Sequence, residues 1–494
     1  MTVILDRLQD ISLQEAWQVG FEGHPITLSD RAAGCIIKSR DAFERLLSSE
    51  TPPYMYGSTT APGARAKVKL SVESQEELVR IQNLWASREI GMGRKMVPDH
   101  GVRLILMARV ATYIEGHVAV SLPMAEWVAG LTHQPPRPLP LEAATGPGEV
   151  MPLSCIYPNE MGISLRAGEI MALYNGSPCA TGLVLDAALT ARRRFDLVHR
   201  IIALAIEAIG APLEAYDPAI ATVSTDPHMA SAIRTLNAHL HDVPRQNRLP
   251  HQAPVSWRIL PTILAAQSHA VAHAEETALN AIRSVAQNPL FVPPDAEHPD
   301  GRVISTGGYH NQQASRAIDG LNAAAADICV LAGKQTARLL DGAAFGLPKM
   351  LVEEGSGVVG TEFLAWSQTG LGDRARLSAI PATLPTGLED PCGAQSDVAS
   401  PVFLAYERHL DVSDDLMASL AVLCVSLIQT YRLSSRRPPS ALQAFHDELA
   451  RHVIPFDTDH FVELGTSLRS LKSLLADATI GQGPLSQLIS NDRN

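Results

Sequence analysis

The chain has 494 residues, with 52 acidic and 40 basic side chains and a formal net charge of −12. That length can bury a large core and exceeds the usual size of one domain unless long helices are shared between regions. No basic run or basic-aromatic stripe occurs, so nucleic acid is not expected as a main partner.

Six cysteines, Cys35, Cys155, Cys179, Cys329, Cys392 and Cys424, stand far apart without CxxC spacing, which suits a reducing compartment. The start, Met-Thr-Val-Ile-Leu-Asp-Arg, lacks the basic flank and apolar core of a signal peptide. The most apolar run, Met417 to Ile428, is too short to span a bilayer. A cytoplasmic protein without a membrane partner is expected.

Taken in order, the first fifty residues carry helical periodicity: after the Ser29-Asp30 start signal, Ile36, Phe43, Leu46 and Leu47 are spaced to share one face. Tyr56-Gly57-Ser58-Thr59-Thr60-Ala61-Pro62-Gly63 follows Pro52-Pro53 and reads as an irregular loop. Helical patterning resumes at Glu76 and carries Ile81 to Arg88. The stretch Pro140 to Ser154 is small and turn-forming in its middle. Gly and Pro punctuate it too densely for a regular element, and Gly146 and Gly148 are expected to permit backbone conformations that a side chain would block. Asn175-Gly176 is a common turn dipeptide. From Ala191 the character changes: Phe195, Val198, Ile202, Ala205 and Ile209 recur at helical spacing, as do apolar residues through Pro261 to Gln287, Gln312 to Leu340 and Asp414 to Tyr431. These lengths predict an all-α fold, a bundle of long helices over 191–494 behind a smaller, loop-rich region over 1–190.

Several of these stretches, in order, resemble motifs of the aromatic amino acid lyases, the histidine and phenylalanine ammonia-lyase family. Tyr56 to Gly63 is similar to the family's Tyr-Gly-x-Asn-Thr-Gly-Phe-Gly, whose tyrosine removes the substrate's β-proton. Ile81-Gln82-Asn83-Leu84-Trp85-Ala86-Ser87-Arg88 resembles Leu-Gln-x-Asn-Leu-Leu-x-Ser-His, placing Arg88 at the selectivity position near the substrate. Val102-Arg103 to Arg109 matches a scaffold segment. Ala172-Leu173-Tyr174-Asn175-Gly176-Ser177 resembles Ala-Leu-Ile-Asn-Gly-Thr, whose asparagine contacts substrate and electrophile. Gln252-Ala253-Pro254-Val255-Ser256-Trp257-Arg258 resembles Gln-Asp-Pro-Tyr-Ser-Leu-Arg, whose arginine holds the substrate carboxylate. Gln287-Asn288-Pro289-Leu290 echoes Asp-Asn-Pro-Leu, Tyr309 takes the aromatic place in Asn-Phe-His, and Leu388-Glu389-Asp390 resembles Gln-Glu-Asp, with Glu389 at the acid near the departing amine.

The departures from that pattern cluster where the chemistry would occur. Gly148-Glu149-Val150-Met151-Pro152-Leu153 resembles the Gly-Asp-Leu-Ala-Pro-Leu that closes the family's electrophile loop. An ungapped match puts Gly146-Pro147-Gly148 where the family has the Ala-Ser-Gly that becomes a methylidene-imidazolone. Proline has neither a hydroxyl to eliminate nor an amide hydrogen, so that register cannot yield the group. A second register, Ala144-Thr145-Gly146, has the right residue types but needs two extra residues before Glu149.

The resemblance therefore implies a helical homotetramer, because the family's sites combine residues from different subunits. The departure at Gly146-Pro147-Gly148 implies an enzyme with no methylidene-imidazolone cofactor. In this reading Tyr56 is the base and Glu389 the acid or second base. Arg258 and Asn175 orient a small, amino acid-derived carboxylate, with Gln252, Tyr309 and Arg88 completing the pocket. Two alternatives stand beside it: a conventional ammonia-lyase or aminomutase that uses Ala144-Thr145-Gly146, and a relative that binds a ligand without turnover.

Overall fold

The protein is described from a computed structural model covering residues 1–63, 66–85, 93–142, 146–158, 161–383, 397–456 and 463–490. Arg88, Ala144, Thr145 and Glu389 lie outside the described residues. The fold is mostly helical, as the periodicity predicts. Among the described residues the sheets are two three-residue pairs: Val3–Leu5 runs parallel to Ile26–Leu28, and Leu290–Val292 runs antiparallel to Arg302–Ile304.

The predicted first helix is Asp30–Leu47, and the Ser29 hydroxyl accepts the Ala32 amide as its cap. Ile36 and Phe43 are buried, and Leu46 and Leu47 pack against a small cluster of Ala42, Phe43, Met55 and Phe291. Two helices begin earlier than expected. Val72–Trp85 starts four residues before Glu76, because the Ser71 hydroxyl accepts the Ser74 amide and opens the helix there. The long helix that shows its pattern from Ala191 starts at Pro178 and runs to Ala208. Proline is compatible with a first helical position, where no amide hydrogen is needed. The three other long stretches form Leu260–Ile282, Gln312–Asp341 and Val402–Leu433.

The chain divides into two compact units that are discontinuous in sequence. The first comprises residues 1–189, 274–318 and 381–407, and the second 190–273, 319–380 and 408–494. The second unit holds a continuous apolar core of residues such as Leu204, Leu264, Ile328, Leu420 and Leu475. Trp257 is fully buried in it, with its indole N–H donating to the Ala205 carbonyl at 3.0 Å. Filling such positions stabilises the fold by roughly 1.5–3 kcal/mol per large apolar side chain.

Met417 to Ile428 lies inside a longer helix than its composition suggests. Val402–Leu433 is, among the described residues, the one helix long and apolar enough to cross a membrane, and 83% of its most apolar window is buried inside the protein. That burial makes it a core helix of this fold. The five described cysteines are all free thiols.

Candidate active site

The Tyr56 loop, in the first unit, is held by its own polar side chains. The Thr59 hydroxyl accepts the Met55 amide at 2.8 Å and donates to the Pro53 carbonyl at 2.7 Å, while the amides of Ser58, Thr59 and Thr60 converge on the Met55 carbonyl. Gly57 has φ +71°, and a β-carbon there would lie 2.3 Å from Met171 Cγ, so this turn needs glycine on both counts. The half-buried Tyr56 turns its phenol oxygen to accept the Gly63 amide at 2.9 Å. A donor aimed at that oxygen stabilises negative charge on it. Tyr56, Phe43, Met171, Gln287 and Pro289 line a cavity of about 30 Å3, room for roughly one water molecule.

The central loop lies in the same unit. The Gly146 carbonyl accepts the Ser400 amide at 3.1 Å, and Tyr309 borders the space beside Gly148 that a side chain would enter. Gly146 and Gly148 permit conformations closed to side chains, but neither uses that freedom. Neither has a left-handed φ, and a β-carbon would sit 3.7 Å from the Gly148 carbonyl oxygen in one case and 3.5 Å from Tyr309 in the other, both ordinary contacts. The end of the stretch also becomes regular: Val150–Ile156 is a short helix that admits Pro152 in its first turn.

Between loop and helix stands Glu149, 1% exposed. Its carboxylate accepts the amides of Cys179 and Ala180 in the first turn of Pro178–Ala208, satisfying donors that a helix start leaves open. Burial pushes its pKa up to about 7, opposed by those two amides and by the charge of Arg109. The neighbouring Cys179 thiol is pushed well up by the same burial and by Glu149.

Arg109 is wholly buried. Its guanidinium donates to Gln287 Oε1 at 3.0 Å and to the Asn175 carbonyl, and Gln287 Nε2 in turn donates to the Met171 carbonyl at 2.7 Å. The Asn175 side-chain amide donates to the Asn288 carbonyl at 2.6 Å and to Met171 Sδ at 3.6 Å. Asn175 thus meets the wall of the Tyr56 cavity through Met171. The sequence reading assigned no role to Glu149 or Gln287 and read Arg109 as scaffold. The available signal was a charge set in an apolar run: Arg109 within Leu-Ile-Leu-Met-Ala-Arg-Val-Ala, and Glu149 ahead of Val-Met-Pro-Leu.

Gln252 and Arg258 belong to the second unit. Both are exposed, and they line an open cleft of about 420 Å3 with Glu214, Met229, His251 and Thr262. Arg258 ends the short helix Val255–Arg258, whose Val255 is 57% exposed while Trp257 is buried. The structure therefore brings Tyr309 to Gly148, links Asn175 to the wall of the Tyr56 cavity, and sets Gln252 and Arg258 in a cleft of their own.

Comparison with known proteins gives this arrangement a family context. A profile of the aromatic amino acid lyases matches residues 11–162 and 158–451. The histidine ammonia-lyase of Aromatoleum aromaticum is 25% identical over 495 residues, covering 93% of this chain and 91% of that protein. Among solved structures, the phenylalanine aminomutase of Pantoea agglomerans superposes with a TM-score of 0.85 at 20% identity, covering 96% of this chain and 99% of its own. Ergothionase of Treponema denticola, an ergothioneine-degrading enzyme, superposes with a TM-score of 0.84 at 14% identity, with 97% and 99% covered. At those identities the superpositions speak for the fold.

Proposed function

This chain belongs to the aromatic amino acid lyase family, and from that premise we propose that it is a lyase-type enzyme working by Tyr/Glu acid–base chemistry without a methylidene-imidazolone. The observation that carries the reading is Pro147. It stands between Gly146, tied to the Ser400 amide, and Gly148, beside Tyr309, in the unit that also holds the Tyr56 cavity. Gly146-Pro147-Gly148 supplies no hydroxyl to lose and does not fit that group.

In this reading Tyr56 takes the proton next to the reacting carbon and Glu389 serves the leaving group as acid or second base. Arg258 holds the carboxylate of a small amino acid-derived substrate, for which a planar two-pronged cation is suited. Asn175, Gln252, Tyr309 and Arg88 complete a pocket whose parts would come from different subunits, as in the family's sites. Without a built-in electrophile the substrate itself must make the step feasible, through a more acidic proton, a better leaving group or an internal electrophile. Elimination, addition and cyclisation fall within that class. A homotetramer belongs to the same proposal, because Val255, Ile259 and Arg258 are exposed in the single chain and a second copy would cover them. A cytoplasmic location is proposed on the cysteine pattern.

Intact-protein mass spectrometry tests the central point. The expected result is the mass of the unmodified sequence, with no added near-ultraviolet absorbance. A dehydrated peptide mapping to 144–146, abolished by Thr145→Ala, would replace this reading with a conventional ammonia-lyase or aminomutase. A monomer by sedimentation that is fully active at low concentration would remove the tetramer.

A further inference from the structure

The second unit contains a larger cavity, about 640 Å3, and none of its lining residues belongs to the Arg258 cleft. Its floor is a buried ion cluster. Glu207, 2% exposed at its side chain, accepts Arg248 Nη2 on one carboxylate oxygen and Arg436 Nη1 on the other, at 2.8 and 3.0 Å. Arg248 is engaged at each of its three nitrogens: Nε and Nη1 donate to the carbonyls of Ala211 and Pro244. Arg436 also donates to the Asn247 carbonyl, and its side chain remains 21% exposed on the cavity wall.

The backbone is shaped to hold Arg436 there. A β-carbon on Gly210, which has φ +57°, would lie 1.9 Å from Arg436 Nη2, so the guanidinium rests where only glycine leaves room. Asn247, whose carbonyl receives Arg436, has φ +56°, a left-handed position that asparagine tolerates better than most residues. Arg437 lines the same wall, exposed, ahead of Pro438-Pro439, which stiffens the turn. The acidic residue of the rim, Asp242, accepts the Ser440 hydroxyl and the Ser440 amide, and that bonding, the hydroxyl first, holds its carboxyl below the usual range. Among the lining residues Arg436 and Arg437 balance Glu207 and Asp242, and the buried Arg248 paired with Glu207 adds one positive charge beside a cavity also lined by Gln246, Ser435 and Gln443.

We propose that this cavity is a binding site for a small oxyanion, a molecule bearing a carboxylate or phosphate group, with Arg436 as the fixed fork and Arg437 as the second cation. Arg436 is pre-organised by Glu207, Asn247 and Gly210, so little side-chain freedom remains to be lost on binding. The amides and hydroxyls of the rim supply donors for the rest of a small metabolite. The site is independent of the acid–base reading of Tyr56 and of the Arg258 cleft.

The test is thermal unfolding of the full chain in a non-coordinating buffer, titrated with inorganic phosphate or with succinate, and with sodium chloride added to constant ionic strength. A saturable rise in Tm beyond the chloride control is expected with at least one anion. Phosphate acting alone identifies a phosphate group as the recognised chemistry, and succinate acting alone identifies a carboxylate. Arg437→Gln should weaken the apparent affinity roughly tenfold, the cost of one charge-assisted contact, and Arg436→Lys should weaken it while keeping the charge on Glu207. Arg376→Gln, a change on an exposed helix, should leave it alone. No rise over chloride, or an equal rise in Arg437→Gln, overturns the proposal. Loss of the rise in Arg258→Met, with Arg437→Gln unaffected, also overturns it by placing the anion in the other cleft. That last outcome would leave the carboxylate-binding role of Arg258 standing, so the two readings fail separately.

Discussion

The surroundings of Tyr56 and those of Arg258 are built differently. Around Tyr56, Gly148 and Asn175 several polar groups are paired within the protein: the phenol has the Gly63 amide, the Asn175 amide has Asn288, Gln287 bridges Arg109 to Met171, and Glu149 caps the start of the Pro178–Ala208 helix. Around Arg258 the side chains are exposed on an open cleft, beside the uncovered Val255 and Ile259. The first region is pre-set within one chain, so its residues can act on a bound molecule without reorganising. The second keeps its guanidinium in water, where a carboxylate gains little. Its proposed role calls for a covering surface, and a second copy of the chain would provide one.

The largest effect is expected at Tyr56. If it is the base, Tyr56→Phe lowers kcat on a turned-over substrate by roughly 10²–10⁴-fold, with little change in Tm, since a neutral phenol hydrogen bond contributes only about 1 kcal/mol to stability. A ligand found by thermal-shift screening that is left unchanged by parent and variant alike would favour a binding protein.

Glu149 comes next. Its folded pKa, raised from 4.5 to about 7, means that the fold disfavours its ionised form. Its contribution to stability is therefore present in full below about pH 4.5, fades as pH rises, and is gone above about 7, a difference of about 3 kcal/mol. Glu149→Gln cannot ionise, so its Tm should gain on the parent's across that interval. Parallel Tm curves from pH 4.5 to 7.5 would show that Glu149 does not titrate there.

Arg258→Met should weaken binding of a carboxylate ligand by roughly 1.5–3 kcal/mol, measured by isothermal titration calorimetry. If the cleft is covered in an assembly, the loss lies at the upper end, and dissociating the assembly should shrink it. Unchanged affinity would remove Arg258 from the site.

How much of this was legible in the sequence follows from the kind of signal each part carries. The long helices were readable because period-3.6 burial repeats over many turns, as Leu204, Leu420 and their neighbours show. Their starts were not, because Pro178 begins its helix beside a carboxylate 29 residues earlier in the chain, a partner that no local pattern names. Tyr56, Asn175 and Arg258 are candidates that motif order alone puts forward. The Arg109, Gln287 and Asn175 network could not, because it joins residues whose contacts run through tertiary hydrogen bonds. The conformation of the glycines in the central loop was not legible for a related reason: glycine content signals permissible conformations, whereas the φ a glycine adopts is set by what packs around it.

That distinction yields the smallest predicted effect, and it is testable with a pair of variants. Gly57 sits at φ +71° with Met171 filling the space a side chain would need, so Gly57→Ala must both strain the backbone and displace Met171, which lines the Tyr56 cavity. It should cost at least 1 kcal/mol and move the phenol. Gly146 has an ordinary φ, and its β-carbon would meet the Gly148 carbonyl oxygen at 3.7 Å. Gly146→Ala should therefore stay within roughly 0.5 kcal/mol of the parent, because it adds contact without strain and removes some freedom from the unfolded chain. Chemical denaturation of the two variants side by side measures both. If Gly146→Ala proves as damaging as Gly57→Ala, the central loop adopts in solution a conformation that does need glycine, and the plain-polypeptide geometry on which the proposed chemistry rests would have to be given up.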